Sequence, residues 1–356
     1  MRGRKESQDS MLALVTLNEL VPQRHPIRTV KKLADECLSE LTTVFDEMYS
    51  KGGRPSIPPE RLLKAQMLMA LYTVRSERML CERIQYDMLF RWFLDMSMTE
   101  AVFDASSFSR NRDRLLEHEV AHRFLQKVTQ RARREALMSS EHFSVDGTLI
   151  EAWASMKSFR PKDEADDGDN NRWSSFKGEK RKNDTHESKT DPEAKLIRKA
   201  RGQAARLCFA EHVLMENRNG LVVDMMVEKA VGASEPTCAL ELLRRALPTG
   251  RVTVGADRGY DTEAFVTQCR EMNVVPHVAQ FQTRSRRSRI DARTSRHPGY
   301  QWSQVVRRRI ESIFGWMKTA GGVRKSRYRG VARTGFFATM VAATYNLMRM
   351  SKLLPS

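Results

Sequence analysis

Three acidic residues stand at positions where a carboxylate needs a physical explanation. Asp146 lies inside an apolar, strand-like stretch, FSVDGTLIEA, and Asp257 ends another, RVTVGAD. A buried carboxylate is unfavourable unless it is paired or binds a cation, and two carboxylates on neighbouring strands would repel each other. A divalent cation between them would remove that repulsion, because Mg²⁺ commonly takes one or two carboxylates together with phosphate oxygens.

The third acidic residue is Glu311, in a basic stretch with helical periodicity. On an α-helix Arg307, Glu311 and Lys318 fall on one narrow face. A carboxylate flanked by cations suits a site that holds metal ions and a phosphodiester together. The set predicts two-metal chemistry, in which ions about 4 Å apart activate a water or a 3′-hydroxyl and stabilise the leaving oxygen. Taken singly, each acidic residue also fits a turn, a helix cap or a surface ion pair.

The net charge of +17 indicates an anionic partner. Nucleic acid is the first candidate and a membrane surface the second. The sequence has no apolar run of spanning length and no apolar core near its start, so we expect neither a transmembrane helix nor a secretory signal. The five scattered cysteines form no CxxC pair, which favours free thiols in a reducing cytoplasm over a disulfide framework or a zinc site.

The elements that must position these residues divide into two parts. Residues 1–138 are predicted to form an all-helical N-terminal domain, since helical patterns follow one another from about residue 27. Residues 139–356 show strand, hairpin, helix, strand, helix, strand and late helices, which predicts an α/β domain with a mixed sheet. Within it, 157–199 is polar and predicts an exposed insertion, and 281–300 is arginine-rich and predicts a loop. An apolar helix over 334–354 is expected in the core of the second domain.

Basic residues are concentrated where a phosphate backbone could lie. The loop prediction covers a run of arginines whose density is typical of contact with nucleic-acid phosphates. We also expect phosphate contacts from the helix that carries Glu311. The predicted DNA-binding residues are Arg284, Arg286, Arg287, Arg289, Arg307, Arg308 and Lys318.

The arginines of the N-terminal domain are a second, weaker set of DNA-binding candidates. No recognition helix stands out among them, so a packing or dimerisation domain with solvated arginines remains the alternative. The candidates are Arg75, Arg78, Arg83, Arg110, Arg112 and Arg114.

Four stretches together resemble the DDE transposases of bacterial insertion sequences, specifically the IS5-type group of the IS4/IS5 superfamily. They are VDGTLIEAWAS, NDTHESKTDPEAKLIRK, ADRGYDTEAF and RRRIESIFGWMK. RSERMLCERIQYDMLFRWFLDM and SSFSRNRDRL resemble the N-terminal helical domain of that group. The resemblance extends from about residue 29 to 347, with the motifs in the same order as in the family.

The resemblance implies a ribonuclease H-like catalytic domain in which Asp146, Asp257 and Glu311 are the catalytic, metal-binding triad. It implies Mg²⁺, with Mn²⁺ as an alternative. The family places a tyrosine, an arginine, the glutamate and a lysine at fixed spacing. Here Arg307, Glu311 and Lys318 match, whereas Gln304 replaces the tyrosine and is expected either to lose its contact or to supply a hydrogen bond instead.

The activity implied is cleavage at the ends of an insertion sequence and joining of the 3′ ends to target DNA. The implied partners are the terminal inverted repeats, target DNA and further copies of the chain, with no membrane. The expected location is the bacterial cytoplasm, at the nucleoid. Two alternatives remain: a nuclease on the same fold that does not join strands, and a non-enzymatic DNA-binding relative.

Overall fold

The computed structural model describes residues 15–50, 52, 56–162, 181–198, 202–232, 235–246, 250–283 and 286–354. Helices dominate the first part, as the sequence predicts. Side-chain caps begin several of them: Ser76 accepts a hydrogen bond from Met79 N, and Asp104 accepts bonds from the backbone of Ser106 and Ser107. The helices are α1 (Leu17–Leu20), α2 (Pro26–Ser39), α3 (Thr42–Met48), α4 (Pro59–Leu71), α5 (Glu77–Tyr86), α6 (Met88–Phe93), α7 (Ala105–Glu117) and α8 (Val120–Arg134).

A mixed six-stranded sheet follows, which confirms the predicted sheet type. The strands are β1 (His142–Glu151), β4 (Lys195–Ile197), β5 (Arg206–Glu216), β6 (Val222–Lys229), β7 (Val252–Ala256) and β8 (Val274–Val278). The order is β4-β5-β1-β7-β8, with β6 also paired to β5. β5 pairs antiparallel with β1, β4 and β6, whereas β1, β7 and β8 run parallel. The predicted hairpin turn joins β5 to β6, and Gly220 supplies its positive φ of 71°.

Helices cover the sheet and carry the predicted site residues. α9 (Glu235–Ala246) packs on β5, β6 and β1, and α10 (Glu263–Glu271) packs on β8. α12 (Pro298–Val306) crosses β7 and β8, a 3₁₀ turn follows at Arg307–Arg309, and α13 (Ile310–Lys318) reaches β1. The chain therefore passes from the edge of the sheet to its centre as it approaches Glu311.

The last helix, α14 (Val331–Leu353), is buried between both parts of the chain. It packs against α8, α4 and α2 as well as against β6. Asn346 fixes it to the sheet by accepting a 2.8 Å hydrogen bond from Val222 N and donating a 2.7 Å bond to Val222 O. The sequence predicts a core helix of the second domain, and the structure shows a helix whose burial depends on the N-terminal helices as well. The division at residue 138 lies between α8 and β1 and stays a prediction.

Two segments contain more regular structure than their composition predicts. The loop prediction for 281–300 is wrong in part, because this segment holds β9 (Gln282–Thr283), β10 (Arg286–Arg287), α11 (Ala292–Ser295) and the start of α12. Caps at Asp291 and His297 start the two helices without any apolar periodicity. The polar segment 157–199 holds β2 (Phe159–Pro161), its partner β3 (His186–Ser188) and β4, while 163–180 lies outside the described residues.

Candidate active site

The sheet register brings Asp146 and Asp257 together. In the parallel pair of β1 and β7, Ser144 is opposite Gly255, so two further residues along each strand lead to Asp146 and Asp257. Residues at equal height on neighbouring strands lie about 4.8 Å apart and point to the same face. A Cβ placed on Gly255 would lie 3.1 Å from Ser144 Oγ, which confirms the shared face two residues earlier. The two carboxylates therefore meet where β7 ends.

Backbone amides hold each carboxylate in place. Asp146 accepts a 2.8 Å hydrogen bond from Gly147 N. Asp257 accepts a 2.7 Å bond from Gly259 N and so caps the 3₁₀ turn Arg258–Tyr260. This cap explains why the chain turns sharply after the strand.

Burial raises the pKa of Asp146 to about 6. The negative charges of Asp257 and Glu235 act in the same direction, against the hydrogen bond from Gly147 and the charge of Arg307. Two hard oxygen ligands that repel each other suit a divalent cation, because the cation favours the ionised form of both. The donor set of this carboxylate pair therefore fits Mg²⁺ or Mn²⁺.

Arg307 lies over the same strands. Its Cβ is 3.4 Å from the position that a Cβ on Gly255 would occupy. Arg307 Nε donates a 3.1 Å hydrogen bond to Gln304 Oε1, and Gln304 Nε2 donates a 2.5 Å bond to His277 O on β8. Gln304 thus supplies a hydrogen bond at the position where the resembled family has tyrosine. It holds the guanidinium group beside the carboxylate pair.

Lys318 reaches β1 from the other end of α13. Its ammonium group donates a hydrogen bond to Thr148 Oγ1, two residues beyond Asp146 on the same face. Thr148 is opposite Glu211 on β5. Glu211 is fully buried, and neither carboxylate oxygen has a hydrogen-bond partner in the described part of the chain. Burial raises the pKa of Glu211 to about 7, against the charge of Lys318.

Glu311 lies in the first turn of α13, one turn after Arg307 and two turns before Lys318. It is exposed to solvent. Among the residues that the structure describes, no three histidine, cysteine or acidic side chains stand close enough to hold a metal ion. The strand register brings Asp146 and Asp257 together, and in the described part of the chain Glu311 does not complete a metal-binding group with them. The role of Glu311 stays a prediction.

The predicted basic segment is anchored by a buried carboxylate. Asp261 accepts hydrogen bonds of 2.9 Å from Phe281 N and 2.8 Å from Arg289 N. Arg287, Arg289 and Arg308 are exposed, and Arg289 Nη2 lies 3.3 Å from the carboxylate of Glu263. Arg284 lies outside the described residues, and for Arg286 only the backbone in β10 is described.

One of the DNA-binding candidates in the N-terminal part is buried and connects helices. Arg112 is buried, forms an ion pair with Glu77 and lies 4.6 Å from the ring centroid of Tyr328. It therefore ties α7 and α5 to the segment before α14, and the suggestion that it contacts DNA is wrong. Arg75, Arg78, Arg110 and Arg114 are exposed, and Arg83 pairs with Asp87.

Sequence reasoning missed Glu235, the first residue of α9. Its charge contributes to the raised pKa of Asp146, and its own pKa is raised by burial and by the charge of Asp257. An acidic residue in the first turn of a helix was the available signal. That signal is also common at ordinary helix N-termini, where a carboxylate complements the helix dipole. Only the approach of α9 to β1 distinguishes the two cases.

The mixed sheet, in which β1, β7 and β8 are parallel and β5 and β6 continue it antiparallel, is of the ribonuclease H-like type. The model "Transposase DDE domain" matches residues 140–347, which is more than half of the chain, and "Transposase domain (DUF772)" matches residues 15–114. The chain belongs to the DDE transposases of the IS4/IS5 type. It is an enzyme of DNA transposition that cleaves DNA and transfers strands, and DDE transposases use divalent metal ions.

Solved transposase structures show distant similarity. A piggyBac transposase synaptic complex with hairpin DNA is 9% identical, with 92% of this chain and 75% of that chain covered and a TM-score of 0.42. A pre-cleavage Mos1 transpososome is 12% identical, with 86% and 80% covered and a TM-score of 0.21. The Mos1 strand transfer complex is 14% identical, with 79% and 82% covered and a TM-score of 0.21.

The described helices include none that is both long and apolar enough to cross a membrane.

Proposed function

We propose that the chain is an IS5-type transposase that cuts at the terminal inverted repeats of its insertion sequence and joins the 3′ ends to target DNA. Asp146, Asp257 and Glu311 are its catalytic residues, and Mg²⁺ is its metal, with Mn²⁺ as a substitute. The observation that carries the proposal is the meeting of Asp146 and Asp257 at equal height on β1 and β7, beside Arg307.

Asp146 and Asp257 hold the metal ions, and Glu311 joins them when DNA binds. Catalytic contacts are often long in the free enzyme and tighten in the complex. The contacts of Arg307 and Lys318 with the sheet support this role, since helical spacing puts both residues on the same side of the chain as Glu311. Divalent ions held by these carboxylates would activate the attacking oxygen and stabilise the leaving oxygen.

The basic residues bind the DNA backbone. Arg307 and Lys318 flank the carboxylates along the sheet and hold the phosphate that is cut. The exposed residues Arg287, Arg289 and Arg308 continue the phosphate contacts along the DNA. Arg284 and Arg286, from the same arginine-rich segment of the sequence as Arg287 and Arg289, contribute further phosphate contacts. Several copies of the chain assemble on the paired transposon ends, in the bacterial cytoplasm at the nucleoid.

The test is a cleavage and joining assay. Purified protein is incubated with Mg²⁺ and a DNA fragment that carries the ends of its insertion sequence, and the breaks are mapped. Precleaved ends then test joining to a target plasmid. We expect breaks at the ends and joined products, both lost in Asp257→Asn with DNA binding retained. Glu271→Gln, an exposed acid at the end of α10, is the matched control and should behave as the parent.

Three results would contradict this proposal. Cleavage without any joining of precleaved ends would indicate a nuclease on the same fold. DNA binding without metal-dependent nicking would indicate a non-enzymatic relative. Asp257→Asn with parental cleavage would remove the residue on which the site depends.

A further inference from the structure

The segment between α13 and α14, residues 319–330, contacts the turn between α4 and α5 in the N-terminal part of the chain. Thr73 donates a 3.1 Å hydrogen bond from its hydroxyl group to Ala320 O. Arg327 donates a 2.7 Å bond from Nη1 to Val74 O. These bonds place two stretches that are far apart in the sequence side by side.

Glu77, at the start of α5, fixes the same contact from the N-terminal side. Its carboxylate accepts a 3.2 Å hydrogen bond from the Tyr328 hydroxyl group and forms an ion pair with Arg112. Tyr328 and Arg112 are buried, and the side chain of Glu77 is only 13% exposed. The two stretches are therefore joined by core contacts, and their relative position is part of the fold.

Exposed cations lie next to these contacts on both stretches. They are Arg75 and Arg78 from the N-terminal side, and Arg324 and Lys325 from the segment 319–330. We call these four residues the composite basic surface. Among the described residues, the three arginines have no ion-pair partner, and Lys325 lies 3.7 Å from the carboxylate of Glu151. Positive charges gathered in this way attract a polyanion.

The composite basic surface lies on a line that leads from the active site along β1. Lys318 contacts Thr148, and three residues further along the strand Glu151 N donates a 3.1 Å hydrogen bond to Arg324 O. At about 3.3 Å for each strand residue, Glu151 lies about 17 Å from Asp146. This length corresponds to about five base pairs of duplex DNA, which rises 3.4 Å for each nucleotide of a strand.

We propose that the composite basic surface binds the phosphate backbone of the transposon-end duplex, about five base pairs from the phosphate that is cut. This inference rests on the function proposed above. Neither part of the chain forms the surface alone, because each contributes two of the four cations. For Arg75 and Arg78 it favours DNA contact over solvated side chains, and it gives the buried Arg112 the task of supporting them from inside.

The surface positions the DNA and does not read its sequence. Arginine and lysine contacts to phosphate fix the register of a duplex on the protein but carry no base information. The duplex would therefore be held at a set distance from Asp146 and Asp257. Because the contact is independent of sequence, its loss should weaken binding to the transposon end and to unrelated DNA alike.

The test compares DNA binding by two double variants. The N-terminal variant is Arg75→Ala with Arg78→Ala, and the segment variant is Arg324→Ala with Lys325→Ala. Fluorescence anisotropy without metal measures affinity at a series of salt concentrations, on a duplex that carries the end of the insertion sequence and on an unrelated duplex. Each variant should reduce the slope of log affinity against log salt by about 2 on both duplexes, since each lost phosphate contact changes it by roughly 0.9.

Hydroxyl-radical footprinting then locates the contacts on the end duplex. The segment variant should lose protection about five base pairs from the cut, and the N-terminal variant at neighbouring positions. The Tm should stay parental, because all four side chains are exposed. The matched control is Arg123→Ala with Arg251→Ala, two exposed arginines on α8 and before β7, and it should keep the parental salt slope.

A parental salt slope in either double variant would overturn the composite surface, and so would lost protection at two separated parts of the duplex. A changed oligomeric state with parental DNA affinity would also overturn it, since the surface would then be an interface between copies of the chain. Failure of the proposed function is seen separately, as the absence of cleavage by the parent when Mg²⁺ is added to the same end duplex.

Discussion

The buried carboxyl group of Glu211 should make the stability of this protein depend on pH in a way that one substitution removes. In the folded chain its pKa is about 7, compared with an ordinary value of 4.5. At 1.36 kcal/mol for each pKa unit, this difference corresponds to about 3 kcal/mol of free energy of unfolding. The cause is burial beside Thr148, where neither oxygen accepts a hydrogen bond from a described residue and the charge of Lys318 acts in opposition.

The direction of this pH dependence follows from the difference in proton binding between the folded and unfolded states. Between pH 4.5 and about 7 the folded state binds the Glu211 proton more tightly than the unfolded state does. The contribution of this group to stability is therefore fully favourable below pH 4.5 and is lost as the pH rises through 7. Glu211→Gln cannot ionise, so we expect it to match the parent at pH 4.5 and to exceed it by up to about 3 kcal/mol at pH 8.

Urea denaturation at a series of pH values measures this difference. Burial lowers the pKa of His212 and His277 to about 4, so both also affect stability in acid. They are present in parent and variant alike, and their contributions cancel in the comparison. Glu241→Gln, which changes an exposed acid on α9, should show no such pH dependence relative to the parent. A Glu211→Gln protein that is less stable than the parent at pH 8 would refute the reasoning, since it would mean that the ionised pair with Lys318 stabilises the fold.

Two further predictions concern the basic residues of the site. Gln304→Leu removes the hydrogen bonds of Gln304 with Arg307 Nε and with His277 O, so we expect a 10- to 100-fold lower cleavage rate and a slightly lower Tm. Gln304→Glu keeps an oxygen for Arg307 Nε but also loses the bond to His277 O, so it should show a similar fall in Tm and retain more activity. Equal cleavage rates in the two variants would contradict this role. Replacing Arg287 and Arg289 by alanine should weaken DNA binding and reduce the slope of log affinity against log salt by about 2, since each lost phosphate contact changes it by roughly 0.9. An unchanged salt slope would show that these arginines do not contact phosphates.

Local patterns in the sequence were sufficient to predict many of the helices, strands and turns. Gly220 marks the hairpin between β5 and β6, and the helical patterns that follow one another from about residue 27 predict the helices of the N-terminal part. The apolar stretch around Asp146 predicts β1. These features depend on backbone conformation and capping within a few residues, so a single stretch of sequence contains the information.

Other features of the site were decided by contacts between distant parts of the chain. The sequence suggests that Asp146 and Asp257 belong together, but only the register of β1 against β7 sets them at equal height. In the sequence, Glu235 cannot be distinguished from other acidic residues at helix starts. Its position beside Gly147 depends on the packing of α9 against β1. In the sequence, Arg112 cannot be distinguished from a solvated arginine. Its burial results from contacts with Glu77 and with the segment before α14.

The sequence by itself determined the residue types, the local elements and the family of this transposase. The tertiary structure decided which charges are buried, which meet and which remain exposed. The physical reason is that the energy of a carboxylate or a guanidinium group depends on its dielectric surroundings and on charges within a few ångströms. Those surroundings come from strand register and helix packing between segments that are far apart in the chain, and no short pattern encodes them.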